Sequence, residues 1–73
     1  MEIKVGKKYK LNKRFVKEKG LSPRCEGAIV KVVMDASDDD YYLCEIVKDV
    51  NGGFSEVDKT RATFISSHQM DKI

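Results

Sequence analysis

The chain has one histidine, which follows two serines in the run Ser66-Ser67-His68. A serine beside a histidine is the pairing that nucleophilic catalysis uses, but it works only when a third group orients the imidazole. Nothing in the sequence near this run supplies that group. Gln69 follows Ser66 by three residues, which is the spacing of a capping box at the start of a helix. We therefore interpret the run as a helix cap and expect no enzymatic activity.

The two cysteines, Cys25 and Cys44, are the other reactive side chains. If residues 30–35 and 41–48 form a hairpin, Cys44 pairs near Val32 and Cys25 lies roughly 23 Å further along the partner strand. A disulfide needs Cα atoms within about 7 Å, so the sequence predicts two free thiols that pack as small hydrophobic side chains. With one histidine and no Cys-x-x-Cys motif, we expect no metal site and no cofactor.

An acidic run, Asp38-Asp39-Asp40, lies near the middle of the chain. Calcium-binding loops space their acids alternately around a central glycine, whereas three consecutive carboxylates point in different directions. The run therefore indicates a solvated turn. The alternative is that it engages a basic partner protein.

Basic residues are concentrated at the start of the chain. Residues 1–20 hold eight basic and two acidic residues, for a local net charge of +6, whereas residues 21–73 have a local net charge of −4. This separation of charge produces an electrostatic field that is not apparent from the total charge of +2. The sequence predicts a phosphate-facing stripe that binds nucleic acid, formed by Lys4, Lys8, Lys10, Lys13, Arg14 and Lys17. The alternative is that these residues solubilise an edge strand and prevent aggregation.

A second candidate surface lies on the predicted strand 41–50, which carries apolar residues on both faces. Only one face can point into a core, so the other presents a tyrosine and a leucine to solvent. Exposed tyrosine flanked by charge is typical of interface hot spots. We expect a protein-interaction surface formed by Tyr41, Leu43 and Phe54, unless the long loop or the C-terminal turn covers it.

Alternation of apolar and polar residues dominates the chain and predicts an all-β fold. The inner face of the first strand is predicted to consist of Ile3, Val5, Tyr9 and Leu11. The predicted strands cover residues 3–11, 27–35, 41–50, 54–58 and 63–65. A long first loop spans residues 12–26, and a C-terminal helical turn runs from Ser66 to Ile73. A three-residue hairpin loop at 51–53 pairs Lys48 with Glu56, Glu45 with Lys59 and Val47 with Val57.

Five short strands with a long first loop and a tight hairpin before the fourth strand resemble the small Src-homology-three-like (SH3-like) barrel, over residues 5–65. The layout is also similar to the KOW, Tudor and phage-encoded relatives of that barrel. The resemblance implies a five-stranded barrel that binds nucleic acids or proteins, as many of those relatives do. It does not extend to recognition of proline-rich peptides, because the chain has no tryptophan and lacks the aromatic residues of that groove.

Length and composition predict a single domain spanning residues 1–73. No apolar stretch approaches the roughly 18 residues of a membrane span, and the first residues lack the apolar region of a signal peptide. We expect a cytoplasmic binding module that does not contact membranes. Two functions remain open: a nucleic-acid-binding accessory protein, or a protein-interaction module that regulates or inhibits a larger complex, for which a phage or mobile element is one candidate origin.

Overall fold

The chain forms one antiparallel five-stranded sheet that does not close on itself. A computed structural model describes residues 2–36 and 40–73. The elements in chain order are β1 (Lys8–Leu11), α1 (Lys13–Lys19), a 3₁₀ turn (Pro23–Cys25), β2 (Ile29–Asp35), β3 (Tyr41–Lys48), α2 (Glu56–Lys59), β4 (Ala62–Ser66), a second 3₁₀ turn (Ser67–Gln69) and β5 (Met70–Lys72). The strand order across the sheet is β4-β3-β2-β1-β5. The predicted β class is therefore confirmed as a mostly-β fold, to which short helices are added.

The core lies on one face of this sheet, which we call the inner face. It is built by alternate residues of the strands, as the period of two requires. The buried strand residues are Tyr9, Leu11, Val30, Val32, Cys44, Ile65 and Met70. Cys44 pairs with Val32, as predicted, and both cysteines are free and buried.

The first strand is shorter than predicted because the chain bends at Gly6. This glycine has a φ of 87°, and its N–H donates to the carbonyl of Val32 at 2.7 Å. Ile3 is buried, but Val5, which was predicted to face the core, is 57% exposed. Regular pairing begins only at Lys8.

The prediction of a loop over residues 12–26 was wrong, because α1 and a 3₁₀ turn occupy most of it. The side chain of Asn12 caps α1 by accepting a hydrogen bond from the N–H of Phe15 at 3.2 Å. Gly20 ends the helix in the left-handed conformation, with a φ of 66°, which glycine adopts without the steric cost of a Cβ. Phe15 and Val16 anchor the helix in the core.

The prediction of a strand over residues 54–58 was also wrong. The carboxylate of Asp49 accepts hydrogen bonds from the N–H groups of Gly53 and Phe54, at 2.9 and 3.0 Å, and the chain turns into α2 instead of pairing. Ser55 and Asp58 form a capping box at the start of α2. The predicted pairs of Lys48, Glu45 and Val47 with this segment therefore do not form.

At the C-terminus the capping box of Ser66 and Gln69 is confirmed. The helical turn ends at Gln69, however, and residues 70–72 form β5 beside β1. The solvated turn predicted at Asp38-Asp39-Asp40 falls mostly outside the described residues, which do not include 37–39. No helix in the described part of the chain is long and apolar enough to cross a membrane.

Candidate functional site

Lysines from three adjacent strands lie on the exposed face of the sheet, opposite the core. Lys8 of β1 is directly opposite Lys31 of β2, and Lys10 follows on the same face of β1. Ile29 of β2 pairs with Lys10 on one side and with Lys48 of β3 on the other. Lys10 and Lys48 therefore lie in the same row of the sheet. We call this set, Lys8, Lys10, Lys31 and Lys48, the lysine face.

The four lysines of the lysine face outnumber the two carboxylates that lie opposite them. Asp71 of β5 is opposite Lys10, and Glu45 of β3 is opposite Lys31. All four lysines are exposed, and none forms an ion pair within the described ranges. The face is therefore a region of positive potential that a polyanion can approach.

The pair of Lys8 and Lys31 is energetically unfavourable for the isolated chain. Residues directly opposite on neighbouring antiparallel strands have Cβ atoms about 4.5–5.5 Å apart, and like charges at that spacing are destabilising. β1 pairs with β2 over Lys8–Lys10 and with β5 over Tyr9–Leu11, so it is a central strand, and only Lys8, at its first position, has no partner in β5. Edge protection, the alternative interpretation from the sequence, therefore does not explain Lys10.

A shallow groove beside Lys8 adds further basic side chains. Its lining includes Lys4, Lys7 and Lys72 together with Glu2. Lys72 lies opposite the buried Tyr9, on the inner-face side of β5. The N-terminal segment is held there by Tyr9, whose hydroxyl accepts a hydrogen bond from the N–H of Lys4 at 2.9 Å. Tyr9 is itself buried and so presents no ring for base stacking.

The structure divides the six predicted nucleic-acid-binding residues between two layers. Lys4, Lys8 and Lys10 belong to the groove and the lysine face, and the other three lie on α1: Lys13, Arg14 and Lys17. α1 packs its apolar side on the inner face of the sheet, so its basic side faces away from the lysine face. Lys10 and Lys13 line a common groove at the junction of the layers.

Arg14 is already engaged within the helix. Its Nε lies 3.3 Å from the carboxylate of Glu18, which also accepts a hydrogen bond from the amide of Gln69 at 2.8 Å. These bonds lower the pKa of Glu18 below its ordinary value. Arg14 is therefore less available to a phosphate than the lysines of the sheet.

The three predicted protein-interaction residues do not lie together. Tyr41 and Leu43 lie on the exposed face of β3, where Leu43 is flanked by Met34 of β2 and Phe64 of β4. Phe54 instead packs partly buried against the core. It lines a cavity of about 250 Å³ between α1, β4 and the inner face.

A serine, a histidine and a carboxylate meet at the C-terminal 3₁₀ turn. Ser66 Oγ lies 3.1 Å from His68 Nε2, and Glu18 Oε1 lies 4.0 Å from the same nitrogen. A catalytic triad needs the acid on the other ring nitrogen, and Ser66 is only 2% exposed. The arrangement fixes the turn onto α1 and offers no accessible nucleophile.

The cysteines do not provide reactive thiolates. Burial raises the pKa of the Cys44 thiol to about 12, and burial together with nearby acids raises that of Cys25. Within the described residues, no group of three or more potential metal ligands comes together.

No family model, curated protein or solved structure matches this chain.

Proposed function

We propose that this protein is a small, non-enzymatic nucleic-acid-binding module that holds the phosphate backbone on the lysine face. The directly opposed pair of Lys8 and Lys31 on adjacent strands carries the proposal. Repulsion between these two lysines lowers the stability of the free chain, and β1 is a central strand of the sheet. A polyanion that lies between the two ammonium groups offsets this repulsion.

The chemistry of the face favours binding without sequence preference. Lysine is a compact, flexible point charge suited to phosphate contacts, whereas the planar fork of arginine fixes a bidentate contact to a base edge. Phosphate contacts fix position and orientation and carry no sequence information. We therefore assign the module to backbone binding through the lysine face, with Lys4 and Lys7 of the neighbouring groove extending the contact beyond the end of β1.

We propose further that the sheet is the open form of the SH3-like barrel that the order of elements suggested. Three features support this: the strand order β4-β3-β2-β1-β5, antiparallel pairing throughout, and a 3₁₀ turn that joins β4 to β5. The long excursion between β1 and β2 holds α1, which covers the inner face. Binding through the exposed face of the sheet is compatible with this arrangement, because the opposite face is occupied by the core.

The proposal is tested by fluorescence anisotropy with labelled single-stranded DNA, duplex DNA and RNA of mixed sequence, at about 50 and 200 mM salt. For four phosphate contacts on a duplex, log K falls with log salt with a slope of about −3.6, which is roughly a 100-fold loss of affinity over this range. Absence of binding to all three probes at the lower salt contradicts the proposal.

Two double variants with the same change in charge locate the interface. Lys8→Ala with Lys31→Ala removes two contacts and reduces the slope by about 1.8. Lys13→Ala with Lys17→Ala, on α1, leaves affinity and slope nearly unchanged. If the second pair weakens binding and the first does not, the interface lies on the helix and the assignment to the sheet is wrong.

A further inference from the structure

The two edges of the sheet differ in how they are protected. β5 is three residues long and carries Asp71 and Lys72, whereas β4 is five residues long, Ala62–Ser66, and has neither charge nor proline. Charged residues, proline and short length are the usual means of preventing an edge strand from pairing with another chain. β4 has none of them.

The free backbone groups of β4 can be located from one hydrogen bond. The N–H of Ser66 donates to the side chain of Gln69 at 3.0 Å and so points away from β3. Backbone groups alternate in direction along an antiparallel strand. The N–H and C=O groups of Phe64 and Ala62 therefore also point to the open side.

An apolar row leads up to this edge on the exposed face of the sheet. Met34, Leu43 and Phe64 lie side by side on β2, β3 and β4. The side chains of Met34 and Phe64 are 58% and 54% exposed. An added strand would extend the row by one position and cover Phe64 with its own side chain.

Acidic side chains lie at both ends of β4. Ala62 lies two residues before Phe64 on the same face of β4 and is opposite Glu45 of β3. Because the side chain of Ala62 is only a methyl group, it does not block access from the open edge to the carboxylate of Glu45. At the other end, Ser67 donates a hydrogen bond to Asp40. On the exposed face, an occupant of this edge therefore meets apolar surface in the middle and a carboxylate towards each end, whereas Arg61, just before β4, lines the cavity on the inner face.

We propose that β4 binds an extended basic segment of a partner protein as an additional antiparallel strand. The segment places an apolar residue opposite Phe64 and, two residues later, a Lys or Arg opposite Ala62, where it reaches Glu45. The main chain of the segment bonds to the free groups of Phe64 and Ala62, and the alternate side chains give specificity, as in other cases of strand addition. This surface adjoins the lysine face at Glu45 but includes none of its four lysines, and the proposal does not depend on the proposed nucleic-acid binding.

A second copy of this chain does not fit the same requirements. Two residues after Phe64 the chain carries Ser66, which is not basic. Antiparallel self-pairing about Phe64 would also place Ala62 against Ser66 of the other copy, and Ser66 is covered by its own C-terminal turn.

The test is an NMR titration of the ¹⁵N-labelled protein with the blocked peptide Thr-Phe-Thr-Arg-Thr. The control peptide, Thr-Arg-Thr-Phe-Thr, has the same composition with the two key residues exchanged. We expect shifts confined to residues 41–45 and 62–66, slower exchange of the Phe64 amide, and at least threefold weaker binding of the control peptide. Equal affinity for both peptides, or shifts outside these residues, would overturn the proposal.

Variants separate this site from its alternatives. Phe64→Thr is expected to weaken peptide binding at least tenfold and Glu45→Gln at least threefold, while Lys10→Ala, a matched change on the lysine face, leaves it unchanged. Concentration-dependent dimerisation that Phe64→Thr abolishes would show that a second copy occupies the edge, and the proposal would be wrong. It would also be wrong if Phe64→Thr abolished DNA binding while peptide binding persisted.

Discussion

At the scale of single residues, the opposed pair of Lys8 and Lys31 is expected to lower the stability of the fold and to raise its affinity for nucleic acid. Lys8→Glu replaces a repulsion with an attraction and should raise the free energy of unfolding by about 0.2–1 kcal/mol. Lys10→Glu makes the same change in charge two residues away, but it faces Asp71 and should lower the free energy of unfolding by a similar amount. Urea denaturation measures both values.

The two variants should nevertheless behave alike towards nucleic acid. Each replaces a cation of the lysine face with an anion, so each weakens binding in the anisotropy assay. A stability loss in Lys8→Glu would show that the repulsion across the pair is not the dominant local effect. Retained affinity in both variants would exclude the lysine face as the phosphate surface.

The cysteines allow a second test at this scale. Because burial raises the pKa of Cys44 to about 12, the reactive thiolate is scarce at pH 8. Cys25 is also buried, and its thiol donates to the carbonyl of Gly53 at 3.2 Å. We expect a thiol reagent such as dithionitrobenzoate to label neither cysteine in the folded protein and both in denaturant. Rapid labelling of the native chain would contradict the burial of these residues.

At the scale of elements, the strands with clear alternation were predictable and the helices were not. β2 and β3 carry long apolar patterns, which fixed their pairing through Val32 and Cys44. α1 buries two adjacent residues, Phe15 and Val16, instead of residues three or four apart, so it lacks the periodicity of an amphipathic helix. The local signals for α1 are its caps, Asn12 and Gly20, and the i,i+4 pair of Arg14 and Glu18.

The other two incorrect elements have different causes. α2 has no buried residue and forms because Asp49 turns the chain and Ser55 caps the helix; the spacing of Ser55 and Asp58 is a local capping-box signal that could have indicated it. β5 buries only Met70, and it becomes a strand because β1 offers an unpaired side, which local pattern does not show.

Gly53 lies in the segment before α2, where that segment packs against the 3₁₀ turn Pro23–Cys25. A Cβ on Gly53 would lie 2.5 Å from backbone atoms of Arg24 and Cys25. Because backbone cannot move aside as a flexible side chain does, Gly53→Ala should lower the free energy of unfolding by about 1–3 kcal/mol. It should also speed labelling of Cys25, whose thiol bonds to Gly53. A loss below about 0.5 kcal/mol in urea denaturation would show that the segments do not touch.

At the scale of the whole molecule, the candidate site is only partly readable from the sequence. The concentration of charge in residues 1–20 drew attention to Lys4, Lys8 and Lys10, two of which the structure places on the exposed face of β1. It could not indicate Lys31 or Lys48, because these residues join Lys8 and Lys10 only through the register of β2 and β3. Phe64 was missed for a similar reason, since its exposure depends on which face of β4 meets Leu43.

The two proposed surfaces meet at one row of the sheet, where Glu45 lies between Lys31 and Ala62. A peptide arginine near Glu45 would therefore offset its repulsion of phosphate at the lysine face. At a separation of about 10 Å in water, one charge contributes about 0.4 kcal/mol, or roughly a twofold change in affinity. We expect saturating Thr-Phe-Thr-Arg-Thr to tighten DNA binding about twofold at about 50 mM salt.

This coupling can be separated from direct binding of the peptide to DNA. The exchanged peptide has the same charge and corrects for that background, and Glu45→Gln should remove the effect. By reciprocity, DNA must tighten peptide binding by the same factor, which the NMR titration measures independently. Screening at about 0.5 M salt should abolish the effect in both directions. Mutual exclusion of DNA and peptide would instead show that the two surfaces overlap, because two ligands that share contacts on the sheet cannot be bound together.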